Sequence, residues 1–271
     1  MPELPEIETA CRGIRPHILQ NTVLKVTIRD GRLRWPVPAK LNSILRDHTV
    51  QHVTRRGKYI LVEFEHGHLL LHLGMSGSLR IVEKDTPYRK HDHFELLFDT
   101  GQCMRLHDPR RFGCVLWTTD DPNQHKLLIN LGPEPLQRNF TGTYLYKLSR
   151  NRTQAVKLFI MDSHTVVGVG NIYANEALFL AGIRPDVPAG KLSLPRYTKL
   201  AACIKQILKR AIRQGGTTLR DFVNSDGSPG YFQQTLNVYG RKRQPCHVCG
   251  NLIKHRNINQ RATYYCTHCQ C

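Results

Sequence analysis

Apolar and polar positions follow two different periods along this chain, and the change comes near residue 131. Before it, an opening segment at 5–18 has helical spacing, with a second short helix at 41–45. Otherwise short runs with two-residue alternation predict strands, and a tight hairpin turn is predicted at His66-Gly67. The predicted strands are 23–29, 50–54, 59–65, 68–73, 78–83, 94–98, 103–107 and 114–118. Such a series predicts a β-sandwich or barrel.

Beyond residue 131 the apolar spacing becomes helical. Predicted helices cover 142–149, 154–162, 171–181 and 194–213, and Gly215-Gly216 ends the last one. The sequence therefore predicts an α+β multidomain protein. We expect an N-terminal domain at 1–130, a linker at 131–142, a helical domain at 143–235 that includes a mobile polar loop at 217–235, and a small C-terminal module at 236–271.

Charge points to a polyanionic partner. Thirty-nine Lys and Arg residues against 21 Asp and Glu residues give a formal net charge of +18, which is most simply explained by nucleic acid. The sequence holds no apolar run long enough for a transmembrane helix. Its first residues include acids where a signal peptide has basic residues. We therefore expect a cytoplasmic protein that does not enter a membrane.

The cysteine pattern predicts a metal site. Five of the nine cysteines fall within the last 26 residues, and two Cys-x-x-Cys pairs are separated by 16 residues. Four thiolates at this spacing suit one structural Zn²⁺ ion. We expect the ligands to be Cys246, Cys249, Cys266 and Cys269, although Cys271 is an alternative to Cys269. The other four cysteines, which are scattered, are expected to be buried thiols of a reducing compartment.

The first six residues hold the most unusual candidate chemistry. Removal of Met1 would leave Pro2 with a secondary amine, a nucleophile that no internal proline can supply. Glu3 and Glu6 would flank the first turn of a helix that begins near Pro5, where carboxylates are stabilised by the helix dipole. The simpler interpretation is a helix start with acidic capping residues.

Several other short motifs allow both a functional and a structural interpretation. Lys58 lies beside a glycine at a strand start, and glycines before Asn171 suit anion binding at a helix N-terminus. Met75 and Phe112 lie on tight turns, where each is either a wedge for a base stack or a core residue. The sequence His91-Asp92-His93 resembles a metal site but lacks a fourth partner at ligand spacing.

Taken together and in order, these motifs resemble the bacterial formamidopyrimidine-DNA glycosylases. The match includes Met-Pro-Glu-Leu-Pro-Glu at 1–6, Arg-Gly-Lys-Tyr at 56–59, Lys-His-Asp-His at 90–93, Asp-Pro-Arg-Arg-Phe-Gly at 108–113, Gly-Val-Gly-Asn-Ile-Tyr at 168–173, Gln-Gly-Gly-Thr-Thr-Leu at 214–219 and the four-cysteine finger. The resemblance implies an N-terminal β-sandwich, a helix-two-turn-helix domain and a zinc finger on a β-hairpin. It also implies a monomer that binds duplex DNA containing oxidised purines or abasic sites.

The resemblance further implies roles for individual residues. Pro2 would be the nucleophile, Glu3 the general acid/base supported by Glu6, Lys58 the residue for β-elimination and Arg261, at a hairpin tip, that for δ-elimination. The residues that would contact DNA are Met75, Arg110 and Phe112, which would fill the hole left by the flipped base, and His91, Arg152 and Asn171, which would contact phosphates. Relatives often have lysine at position 152. The loop 217–235 would close over the extruded base.

Two other functions remain open from the sequence. The sister endonuclease VIII type shares the Pro-Glu chemistry but prefers oxidised pyrimidines, and Leu4 departs from its usual glycine. A non-catalytic zinc-finger protein that binds DNA would also explain the charge and the four cysteines.

Overall fold

The computed structural model describes residues 2–215 and 236–271, and these fall into two compact units. One unit contains residues 2–129, and the other contains 130–213 together with 236–271. The predicted loop 217–235 lies outside the described residues. The predicted domain boundaries stay predictions.

The first unit is a β-sandwich with a leading helix, as the alternation predicts. Helix α1 (Leu4–Ile18) precedes strand β1 (Val23–Ile28) and the short helix α2 (Leu41–Leu45). The remaining strands are β2 (His52–Arg56), β3 (Tyr59–Phe64), β4 (Gly67–His72), β5 (Ser78–Glu83), β6 (Asp92–Phe98), β7 (Gln102–His107) and β8 (Cys114–Thr118). All pairs are antiparallel, and the two sheets have the orders β1-β6-β7-β5 and β2-β3-β4-β8.

Helix α1 is held by its apolar face. Ile7, Cys11, Ile14 and Ile18, at helical spacing, are each at most 1% exposed and belong to the core that fills the sandwich. Pro5 lies in the first turn, where a proline sacrifices no helical hydrogen bond. Polar residues on the opposite face of the helix are exposed to solvent. Helix α1 therefore packs on the sandwich through one apolar face, and Pro5 marks its start.

Several sequence-based boundaries in the first unit were wrong, including the start of β6, which lies at Asp92 rather than at 94. The hairpin turn lies at 65–66, and Gly67 already belongs to β4, paired with Phe64. A Cβ atom on Gly67 would lie 2.5 Å from the carbonyl oxygen of Thr118, so glycine is needed there for close packing against β8. Strand β2 begins two residues later than expected, because Val50 exchanges backbone hydrogen bonds with Gln20 and Asn21 instead.

The second unit is helical with one hairpin. It contains α3 (Gly142–Ser149), α4 (Val156–Met161), α5 (Asn171–Ala181), α6 (Leu194–Arg213), β9 (Lys254–Ile258) and β10 (Arg261–Tyr265). Helix α4 is shorter than predicted, because Gln154 and Ala155 are extended and pair with the segment at Pro188–Ala189. A small apolar cluster joins the finger cysteines to Phe179 of α5.

Two chain crossings between the sheets of the sandwich pack against each other. The β4–β5 connection contains Gly74, which has φ of +62°, and the β7–β8 connection contains Gly113. A Cβ atom on Gly74 would lie 2.5 Å from both the Gly113 nitrogen and the Phe112 carbonyl carbon. The two turns therefore touch through backbone atoms, which leaves no room for a side chain.

This contact predicts an unequal cost for two glycine substitutions. Gly74→Ala should lower the free energy of unfolding by about 1–3 kcal/mol through overpacking, in addition to about 1 kcal/mol for a left-handed backbone. Gly101→Ala is the matched control, since its φ is +81° and no heavy atom lies within 4 Å of its Cβ position. Urea denaturation measures both losses. Equal losses would show that the turn contact contributes nothing.

Candidate functional site

The N-terminal segment is buried and held by reciprocal hydrogen bonds. Pro2 is buried, and Glu3 and Glu6 are only 2% and 3% exposed. The Glu3 N–H donates to Oε2 of Glu6 at 2.8 Å, while the Glu3 side chain accepts from the backbone N–H of Glu6. This capping box fixes both carboxylates at the positive end of the helix dipole, next to Pro2.

Ionic and backbone contacts attach helix α1 to strand β2. The Arg55 Nε atom lies 3.1 Å from Oε2 of Glu8, and Arg15 donates to the carbonyl of Val53 at 2.6 Å. Burial raises the pKa of Glu8, but hydrogen bonds from Arg55 and Arg12 outweigh it, so the pKa is lowered overall. Glu8 therefore stays ionised at neutral pH, and the start of α1 has a defined place beside β2.

Lys58 lies at the tip of the hairpin formed by β2 and β3. It is the second residue of a two-residue turn and is half-buried. Burial, with the positive charges of Lys58 and Arg34, lowers the pKa of His72 to about 4. His72 is thus neutral at pH 7, and its Nδ1 atom accepts a hydrogen bond from the Gly74 N–H at 2.9 Å. Sequence reasoning missed His72, whose only signal is its place just before the glycine turn.

The turn at 108–113 presents an exposed aromatic ring. Phe112 is 44% exposed, and the Arg110 guanidinium carbon lies 4.9 Å from its ring centroid. The base of this turn is rigid, because buried Asp108 accepts from the Gly113 N–H at 2.8 Å and Arg111 pairs with Asp30 at 2.5 Å. The alternative that Phe112 folds back into the core is wrong.

Met75 follows Gly74 directly. The backbone contact between Gly74 and Gly113 therefore brings the Met75 turn beside the turn that carries Phe112. Met75 is half-buried and is not one of the buried core residues. Two of the proposed void-filling side chains thus lie on adjoining turns of one unit.

The trio His91-Asp92-His93 is a charge network. Asp92 is 1% exposed and accepts two hydrogen bonds from Arg80 Nη2, at 2.6 and 2.8 Å, and one from His107 Nδ1 at 3.0 Å. Its oxygens are occupied by protein donors. In the described part of the chain, the only cluster suited to a metal is the set of four finger cysteines.

In the second unit, the finger hairpin is fastened at the carbonyl of Ala262. This oxygen accepts from the Asn171 side-chain amide at 3.0 Å and from the Lys157 ammonium at 2.8 Å. Lys157 is fully buried and also donates to the Thr263 hydroxyl at 2.7 Å. Arg261 is the next residue toward the two-residue turn, and it is exposed. Asn171 and Arg261 are therefore neighbours, whereas the structure does not connect the exposed Arg152 to either.

Glu176 is a second residue that sequence reasoning missed. Its fully buried carboxylate accepts four hydrogen bonds, at 2.8 to 2.9 Å, from residues 237–239. These donors satisfy the buried charge and fix the chain just before the finger. The only available signal was that Glu176 is the single charged residue of a helix whose other residues are mostly apolar.

The four predicted cysteine ligands converge. The sulfur atoms of all four lie within 4.8 Å of one another, with Cys246 and Cys269 3.9 Å apart and Cys249 and Cys266 3.4 Å apart. A tetrahedral zinc ion with Zn–S bonds of about 2.3 Å places sulfurs roughly 3.8 Å apart, so the set fits one structural Zn²⁺ ion. Cys271 is exposed and outside the cluster, which settles the choice in favour of Cys269.

The four scattered cysteines are buried thiols, as expected. Cys11, Cys103, Cys114 and Cys203 are all buried. Burial is the main reason that the pKa values of Cys11, Cys103 and Cys114 rise to about 12. At neutral pH these groups are protonated, so they provide neither nucleophile nor metal ligand.

No helix in the described residues combines the length and the apolar character that a membrane span requires.

Comparison with protein families covers most of the chain. The formamidopyrimidine-DNA glycosylase N-terminal domain matches residues 1–115, and the H2TH domain of the same glycosylase matches 131–223. The zinc finger found in FPG and IleRS matches 243–270. The chain thus combines, in order, a β-sandwich, a helix-two-turn-helix domain and a hairpin zinc finger.

Individual proteins are similar over their full lengths. The formamidopyrimidine-DNA glycosylases of Methylococcus capsulatus and Alcanivorax borkumensis are each 58% identical, with 100% of both chains covered. A crystal structure of the MutM (Fpg) protein from Thermus thermophilus has 35% identity and a TM-score of 0.88, covering 99% of this chain and 98% of that one. A Lactococcus lactis Fpg mutant bound to Fapy-dG-containing DNA has 31% identity and a TM-score of 0.93, covering 99% of each chain.

Substitution of single cysteines tests the zinc ligands. Cys266→Ser and Cys269→Ser should each abolish binding of the single zinc ion and expose the apolar cluster around Ile253 to solvent, because the finger has too little core without metal. Cys271→Ser is the matched control and should keep one zinc per chain. Metal content measured by mass spectrometry decides, and zinc loss from Cys271→Ser would contradict the assignment.

Proposed function

This chain belongs to the formamidopyrimidine-DNA glycosylase family, and we propose that it is a bifunctional DNA glycosylase and AP lyase. Its substrates are duplex DNA with oxidised purines, chiefly 8-oxoguanine and formamidopyrimidines. It removes the damaged base and cleaves the strand by β,δ-elimination in base-excision repair. The observation that carries the proposal is the buried Pro2 beside the reciprocally bonded Glu3 and Glu6.

The proposed nucleophile is the nitrogen of Pro2 after removal of Met1. An α-amine titrates near pH ~8, well below a lysine, so a larger fraction is nucleophilic at neutral pH. This nitrogen attacks the sugar C1′ atom, the bond from C1′ to the base breaks, and the base leaves with a proton. The C1′–O4′ bond of the sugar then breaks as O4′ takes a proton from the general acid Glu3. Because the amine is secondary, the product is an iminium ion (a Schiff base) on Pro2.

Glu3 is the proposed general acid/base, and Glu6 positions it. Glu3 is adjacent to Pro2 and buried, so its carboxyl group can assist ring opening and proton transfer away from bulk water. The Oε2 atom of Glu6 accepts a hydrogen bond from the Glu3 backbone N–H at 2.8 Å, which supports a positioning role for Glu6.

Strand cleavage follows from the iminium ion, which acidifies the C2′ proton. Lys58 assists β-elimination, and its place on a rigid hairpin tip beside neutral His72 supports this role. Arg261 assists δ-elimination. The hydrogen bonds from Lys157 and Asn171 to the adjacent Ala262 carbonyl support a fixed position for the Arg261 backbone. The product is a one-nucleotide gap with phosphates at both ends.

The damaged nucleotide must leave the base stack to be reached. Met75, Arg110 and Phe112 fill the hole that the base leaves. Arg110 pairs with the orphaned cytosine, and Phe112 wedges the stack. The adjoining turns and the exposed Phe112 ring support these roles.

His91, Arg152 and Asn171 contact phosphates, and the loop 217–235 closes over the base. The Asn171 side-chain amide already donates to the Ala262 carbonyl. Its proposed phosphate contact is therefore supported by the position of Asn171 at the N-terminus of α5, where backbone N–H groups favour anions. The substrate places the enzyme in the bacterial cytoplasm, at the nucleoid.

Oxidised pyrimidines are the competing substrates. One Lactococcus lactis structure, 32% identical to this chain, is described as Fpg bound to DNA containing an oxidised pyrimidine. Others are described as complexes with Fapy-dG DNA or with abasic-site DNA. A direct comparison of the two lesion classes is therefore needed for this chain.

Borohydride trapping tests the catalytic mechanism. Incubation with 8-oxoguanine duplex and borohydride should link the chain covalently to DNA, because reduction traps the iminium ion. Pro2→Gly should reduce the trapped fraction roughly ten-fold or more, whereas Pro5→Ala, a proline in the same first turn, should keep it. Retention of Met1 should abolish trapping.

Two results would overturn this mechanism. A protein that binds the duplex tightly yet never becomes trapped is a non-catalytic DNA-binding protein. Full trapping with Met1 retained would show that the nucleophile is elsewhere.

Substrate choice has its own prediction. Measured under one set of conditions, kcat/KM for 8-oxoguanine opposite cytosine should exceed that for thymine glycol opposite adenine by roughly ten-fold or more, which is about 1.4 kcal/mol in transition-state binding. Arg110 is the residue expected to read the opposite cytosine. A preference for thymine glycol would instead assign the endonuclease VIII specificity.

A further inference from the structure

The outer face of the β1-β6-β7-β5 sheet carries buried ion pairs. Along β7, Met104 and Leu106 face the core, so Arg105 and His107 face outward. Arg105 pairs with Glu95 across the sheet, and Arg80 pairs with Asp92. All four of these residues are at most 6% exposed. His107 is the last residue of β7 and lies directly before the turn 108–113.

The Nδ1 atom of the His107 ring is hydrogen-bonded to Asp92, and the Nε2 atom is available to bind a ligand. Because a carboxylate only accepts, His107 Nδ1 must donate the hydrogen bond to Asp92 at 3.0 Å. No residue in the described part of the chain forms a hydrogen bond with Nε2 of His107, and the side chain is 23% exposed. In the neutral ring Nε2 is an acceptor, and in the protonated ring it is a donor.

His107 is close to residues of the proposed DNA-binding surface. Its ring centroid lies 5.9 Å from that of His91, and the His91 carbonyl accepts from the Asp108 N–H at 2.9 Å. Arg110 follows three residues after His107, which limits their separation to about 11 Å. A phosphate that reaches His91 is therefore within reach of the second imidazole.

We propose that His107 is a second phosphate-binding residue beside His91, and that its protonated ring donates from Nε2 to a backbone phosphate of bound DNA. The inference rests on the proposed function only in that duplex DNA is the ligand. Asp92 holds the ring with Nε2 outward and stabilises the imidazolium. The two histidines then form one anion site that is charged when DNA is present.

The surrounding charges make this site sensitive to pH. Asp92 faces His107 from β6, Arg80 from β5 largely compensates that acid, and the His91 ring faces it from the segment before β6. Two imidazolium rings 5.9 Å apart repel each other until an anion lies between them. Because only the protonated ring donates from Nε2, DNA should bind more tightly as pH falls.

His93 is not the titrating group. Burial and the positive charge of Arg111 lower the pKa of His93, outweighing its contacts with Asp108 and Asp30. Its Nε2 atom is engaged with the Asp108 carbonyl at 3.1 Å. His93 is therefore harder to protonate than an ordinary histidine, and this hydrogen bond fixes its ring.

The test measures the affinity of the full chain for a duplex with an uncleavable abasic analogue, as a function of salt at pH 6 and pH 8.5. His107→Asn keeps a donor for Asp92 but removes Nε2, and His107→Lys supplies a charge at both pH values. At pH 6, His107→Asn should reduce the slope of log affinity against log salt by about 0.9, one phosphate contact. It should match the unmodified chain at pH 8.5, where His107→Lys should bind more tightly. His17→Asn, which changes an exposed histidine near Gln102, is the control and should change nothing.

An unchanged slope for His107→Asn at pH 6, with thermal melting that shows an intact fold, would overturn the inference. If that variant does not fold, a His107→Lys chain that binds no better at pH 8.5 overturns it equally. The catalytic proposal fails differently: the unmodified chain would bind the duplex with the expected histidine effects yet never be trapped by borohydride.

Discussion

The exchange of hydrogen bonds between Glu3 and Glu6 is the contact on which the proposed chemistry depends. A secondary amine exists only at a chain end, and chain ends are normally the least ordered part of a domain. Here the end is also a helix start, so the backbone N–H groups left open by the helix are satisfied by the two carboxylates. Burial of the apolar face of α1 and the Glu8–Arg55 pair then fix that start against the sandwich. In the proposed mechanism, the same two acids serve the fold and the reaction.

The residues proposed to fill the void are held by a different kind of interaction, which is contact between backbones. Gly74 and Gly113 bring two sheet crossings together with no side chain between them. The rigid base this creates allows Phe112 to stay exposed without the entropy loss of ordering a flexible loop on binding. An exposed aromatic ring on a flexible turn would instead tend to collapse onto the nearest apolar surface. In the proposed function, the two glycines therefore contribute through the close contact of the turns, although neither has a side chain to contact DNA.

The sequence predicts features that depend on local spacing and misses those that depend on distant partners. The Cys-x-x-Cys pairs and the two-residue alternation of the strands are local, and both are confirmed. Lys157 has its partners 105 and 106 residues away, and the first donor to Glu176 lies 61 residues away. Nothing near either residue shows that its charge is buried. The start of β2 was misplaced for the same reason, since Val50 pairs with a connection about thirty residues earlier.

Burial of charge also explains how the basic excess reaches the surface. Among the described residues, seven acids but only three Lys or Arg residues are buried. Asp92, Glu95 and Glu176 each have donors inside their own unit, such as Arg80 for Asp92 and Arg105 for Glu95. The solvent-facing groups are therefore more basic than the formal charge of +18 implies. Buried acids fix the geometry of turns and helix starts, while the cations left outside supply the long-range attraction for a polyanion. Stability and binding thus draw on opposite signs of charge, so a substitution that weakens one need not weaken the other.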